Sequence, residues 1–83
     1  MTPIESIYEI KSAVLDLQKY LLSNDPIVSK KARLKYEQLV DLFFKGHANF
    51  IKPEQRSYCL TDFDYFMSLI GKIAECYYLG LDG

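Results

Sequence analysis

The hydrophobic pattern is densest between Asp62 and Leu79, where Phe63, Phe66, Ile70, Ile73 and Tyr77 recur at helical spacing along one seam. Met67, Ala74 and Tyr78 widen that seam on one side, and Leu69 and Cys76 widen it on the other. Only Asp64, Ser68, Lys72 and Glu75 remain as a polar strip, so most of this helix's circumference calls for cover other than water. The spacing predicts a central helix over 62–79, with Thr61 as its cap, Asp64 completing an approximate capping box and Gly80 closing it ahead of a short tail. Gly71 lies inside this helix, where it costs about 1 kcal/mol relative to alanine, and a close approach by another helix would offset that cost.

The same spacing opens the chain. Thr2, Pro3 and Glu5 form an N-terminal capping pattern, and Ile7, Ile10, Val14, Leu17 and Leu21 follow as the main seam of a helix over 3–22. A second row, Tyr8, Leu15 and Leu22, runs beside it, with Lys11 and Gln18 falling between the two. Either those polar stems lie over apolar surface, or the rows face two different neighbours, which makes the second row a docking surface.

Ser23, Asn24, Asp25 and Pro26 predict a tight turn in which Asp25 caps a second helix over 26–45, with Gly46 as its left-handed terminator. Val28, Ala32, Tyr36, Leu39, Leu42 and Phe43 form the expected inward stripe, and Arg33 with Glu37 and Asp41 with Lys45 stand at pairing distance. Beyond it, Phe50 and Ile51 are expected to plug the end of the bundle, and Pro53 opens a short helix reaching about Leu60. The predicted fold is all-α: a single-domain antiparallel bundle of three long helices plus one short connecting helix.

Composition adds a push towards association. In 83 residues, 49% are hydrophobic and twelve are Tyr or Phe, more than one buried face per helix needs. Charge is unevenly spread: residues 1–29 carry two bases against four acids, 30–56 seven bases against three acids, and 57–83 one base against four acids. A basic middle between acidic ends favours charge matching with proteins over a general affinity for polyanions. Cys59 and Cys76 are expected to be reduced, packed thiols in a cytoplasmic protein without a leader segment. No apolar run is long enough to span a bilayer, and the amphipathic faces lack a membrane-binding pattern.

Chemistry is sparse. His47 is the sole histidine and follows the glycine expected to end the second helix, where it can bond free carbonyls or sit in water. One histidine and two separated cysteines cannot close a zinc site, and Asp62 with Asp64 read as helix-start acids. No phosphate loop or calcium loop occurs, so neither a catalytic residue nor a metal or cofactor is expected. The leading expectation is a non-enzymatic regulator of inhibitor, adaptor or chaperone type. It would bind a larger protein, as a homodimer, through Tyr8, Leu15 and Leu22 on the first helix and Tyr65, Leu69 and Cys76 on the flank of the last. The alternative is a nucleic-acid-binding regulator using Lys30, Lys31, Arg33 and Lys35.

Overall fold

The computed structural model describes residues 3–79, so the expected cap at Thr2, the stop at Gly80 and the tail over 81–83 lie outside the described residues. Four helices follow one another: α1 (Pro3–Leu21), α2 (Pro26–Gly46), α3 (Pro53–Thr61) and α4 (Phe63–Leu79). Each runs antiparallel to its predecessor. α1 packs on α2 and on α4, while α3 closes the ring by packing on both α2 and α4. The predicted all-α antiparallel bundle is therefore the fold, with three long helices and one short one.

Local chemistry sets the boundaries. Asp25 accepts the Ile27 amide proton at 2.9 Å and Ser23 Oγ accepts that of Asp25 at 3.1 Å, so the α1–α2 turn is held by its own side chains. α3 starts where the Lys52 amide donates to Gln55 Oε1 at 2.7 Å. Two expected ends differ. Gly46 is the last residue of α2 and its backbone is not left-handed; the cap is His47, with φ −127° and an amide shared between the carbonyls of Phe43 and Phe44. At the start of α4, Asp62 replaces Thr61 as the cap, its Oδ1 accepting from the Tyr65 amide at 3.0 Å. Thr61 still belongs to α3, and its hydroxyl donates back to the Ser57 carbonyl.

The core joins Ile7, Ile10 and Val14 of α1, Tyr36, Leu39, Val40 and Phe43 of α2, Ile51 and Cys59, and Phe66, Leu69, Ile70 and Ile73 of α4. Its centre is a column of rings. Phe63 meets Tyr36 at 6.0 Å, Tyr36 and Phe43 each set an edge against Phe66 at 5.7 and 5.3 Å, and Phe43 contacts His47 at 4.8 Å. Tyr77 continues the column between His47 and Phe50 at 5.8 and 5.5 Å, which is the expected plug at the bundle's end. Edge-to-face rings at such distances add about 0.5–1.5 kcal/mol per pair beyond their burial. The column ties α2 to α4 diagonally across the ring of helices.

Two residues of the expected stripes face outward. Leu42 is 58% exposed, whereas its neighbour Val40, absent from the predicted stripe, is buried. Val40 joins the buried cluster, whereas Leu42 stands on the rim of an open groove that it shares with Ser6, Glu9 and Ile10 of α1. Tyr78, expected beside the α4 seam, is 75% exposed. The pairs expected within α2 do not form. Asp41 instead holds Arg56 of α3 at 2.5 Å, and Arg56 also lies over the Phe44 ring at 5.5 Å.

Candidate functional site

The row Tyr8, Leu15 and Leu22 stands at the surface, 53%, 49% and 77% exposed respectively, while the parallel seam of α1 is packed inward. The seam of α1 is thus covered by the other helices and the second row is open to solvent. Tyr8 and Lys11 form one wall of a groove of about 240 Å³ whose other wall is α4, with Gly71, Ala74, Glu75 and Tyr78. Gly71 lies on the α4 side. A Cβ added there would meet nothing within 4 Å, so among the described residues none makes the close approach that its sequence position suggested. Two exposed tyrosines, Gly71, and Lys11 with Glu75 thus line an open groove between α1 and α4.

The second expected contact set fares differently. Leu69 is only 8% exposed and belongs to the core. Tyr65 is half-buried, with its hydroxyl accepting from Gln55 Nε2 at 3.3 Å and its ring 5.5 Å from Tyr58. Cys76 is half-buried in a shallow groove with Phe50, Gln55 and Lys72. The flank of α4 that these residues occupy is covered by α3 and the segment before it, so Leu69 is corrected from a contact residue to a core residue.

The basic quartet is divided. Lys30, Lys31, Arg33 and Lys35 are all exposed, and none makes an ion pair among the described residues. Lys31 and Lys35 border a groove between α1 and α2, whereas Arg33 lines a different groove with Tyr36, Leu60 and Thr61. The quartet thus borders two different grooves.

His47 is buried rather than solvated, and its main chain, not its imidazole, satisfies the carbonyls at the end of α2. The ring lies between Phe43 and Tyr77 with Nδ1 lacking a hydrogen-bond partner, and burial holds its pKa below the ordinary histidine value. Burial likewise raises the Cys59 thiol, partly offset by Arg56, and raises the Tyr36 hydroxyl well above its usual range. A thiol so placed is kept protonated and unreactive. Cys59 and Cys76 are both free. Among the described residues no three His, Cys, Asp or Glu side chains gather closely enough to hold a metal ion, and no helix is long and apolar enough to cross a membrane. No protein-family model, curated protein or solved structure matches this chain.

Sequence reasoning identified the α1 row but missed the groove's other wall. Gly71 was a usable signal, since an internal helix glycine invites the question of what approaches it. Periodicity puts Tyr78 beside the seam but does not show how far a buried arc extends.

Proposed function

We propose that this chain is a non-enzymatic protein-binding module, a small regulator of inhibitor, adaptor or chaperone type. It engages a larger protein through the α1 row and the adjoining groove over α4, and it pairs with a second copy of itself. The observation that carries this reading is Gly71: a helix-weakening residue with open space above it, set between exposed Tyr8 and Tyr78. Leu15 and Leu22 extend the apolar surface along α1. The grooves, at about 200–250 Å³, are smaller than the roughly 300–1,000 Å³ usual for small-molecule sites and suit anchoring side chains instead. Separation of Arg33 from Lys31 and Lys35 favours a protein over a nucleic acid, whose phosphates call for a longer run of cations.

The test combines light scattering with partner capture from the native host, for the natural chain and Leu15→Glu. The expected result is a mass rising towards two chains with concentration, together with a defined captured protein, both lost in the variant. A one-chain mass at every concentration with capture unchanged by Leu15→Glu would overturn the proposal.

A further inference from the structure

On the opposite flank of α1, Leu17 and Tyr20 face Val28, Lys31, Ala32 and Lys35 of α2 across an open groove of about 250 Å³. Its apolar lining is aliphatic apart from Tyr20, and no acidic residue lines it. Lys31 and Lys35 are one helical turn apart, which places both ammonium groups on the same edge of α2. Neither has an acidic partner within salt-bridge distance among the described residues. Lys19 adds a third positive charge nearby, its ammonium 5.0 Å from the centre of the Tyr20 ring. Next to the lysines, Ile27 and Leu34 of α2 are 67% and 52% exposed.

A largely aliphatic floor with cations along its edge selects for a ligand with the inverse pattern. We infer that this α1–α2 groove docks an acidic amphipathic helix of a partner protein. An aliphatic side chain of that helix enters between Leu17 and Val28, and carboxylates beside it meet Lys31 and Lys35. Ile27 and Leu34 lengthen the apolar contact along α2, whose 21 residues give a partner helix a track of about 31 Å. The chain's net charge is −1, so the positive charge here is local and steers an acidic segment to this face. A nucleic acid would gain little from the floor, since Tyr20 is the only ring on it. This site is separate from the Tyr8–Gly71 groove and does not depend on how that groove is used.

The experiment is fluorescence anisotropy with a labelled synthetic helix carrying a leucine seam flanked by glutamates. Controls are a scrambled peptide of the same composition, the same seam flanked by lysines, and labelled single-stranded and duplex DNA. Saturable binding of the acidic helix alone is expected. Lys31→Glu with Lys35→Glu should weaken it by about tenfold or more, raising salt should weaken it too, and Leu15→Glu should leave it unchanged. Four results would each overturn the inference: no binding, equal binding of the scrambled peptide, indifference to the double lysine variant, or loss on Leu15→Glu. Tighter binding of DNA through the same lysines would overturn it in favour of a nucleic-acid ligand.

Discussion

The Tyr36 hydroxyl donates to the main-chain carbonyl of Cys59, so a side chain of α2 caps the final turn of α3. A helix leaves its last four carbonyls without internal donors. Tyr58 recovers one from the Asp62 amide, and Tyr36 supplies the next from across the bundle. The bond is buried and fixes where the short helix sits against the longer one.

Tyr36→Phe keeps the ring against Phe63 and Phe66 but removes the donor. It should cost about 1–3 kcal/mol, because a buried carbonyl is left unsatisfied. Urea unfolding of the two proteins measures this, and a midpoint unchanged at constant slope would show that the bond contributes nothing.

Gly71→Ala should stabilise the folded chain by up to about 1 kcal/mol, since alanine is the better helix former and the added methyl meets no neighbour. If the groove receives another molecule, the same substitution should weaken that association. Thermal unfolding and concentration-dependent light scattering separate the two effects, and a gain in stability with association unaltered would show that the groove is unused.

His47 gives a pH dependence with a definite sign. Its folded pKa is lowered by burial, so between the unfolded value near 6.5 and the lower folded value the unfolded chain binds more protons. Stability from this residue is complete above about pH 6.5 and is lost as pH falls through the folded pKa. His47→Phe, which retains a ring against Phe43 and Tyr77, should flatten the loss that sets in as pH falls below about 6.5. Denaturant midpoints across that range check it; parallel curves would show that the imidazole does not contribute.

At the alkaline end the sign reverses. Cys59 and Tyr36 hold their protons to higher pH in the folded chain than in the unfolded one, so stability should fall as pH rises through their unfolded values, near 9 and 10. The burial that raises Cys59 also shields it. A small thiol reagent at pH 8 should modify half-buried Cys76 well before Cys59, and equal rates would contradict the packing around Cys59.

What could be foreseen follows from which forces are local. The seams of α1 and α4 repeat in register, and Asp25 with Pro26 writes its turn into adjacent residues, so helix order and antiparallel packing were legible before any coordinates. Leu42, Val40 and Tyr78 were misplaced because their burial depends on which neighbour stands opposite, and spacing along one helix does not contain that. Spacing alone leaves Leu69 free to serve as a contact residue, because the placing of α3 over that flank is a tertiary event. For the candidate site, the α1 row was legible as a surplus over one buried face. The walls supplied by Gly71, Tyr78 and the α1–α2 pair were not, since each groove exists only once two helices lie side by side.

Every ring in the central column comes from α2, α4 or the segment 47–50, and α1 contributes none. Its hold on the rest is aliphatic, through Ile7, Ile10 and Val14 with Ala13, Leu17 and Leu21 packed against the same core. The molecule is thus held by two kinds of packing, an aromatic column between α2 and α4 and aliphatic contacts from α1 to both. α1 should detach as a unit at lower free energy than the aromatic remainder, and amide exchange should be faster at Val14 than at Phe66, although both side chains are fully enclosed. Both proposed grooves use α1 as a wall, so an occupant of either would slow exchange along the whole of that helix.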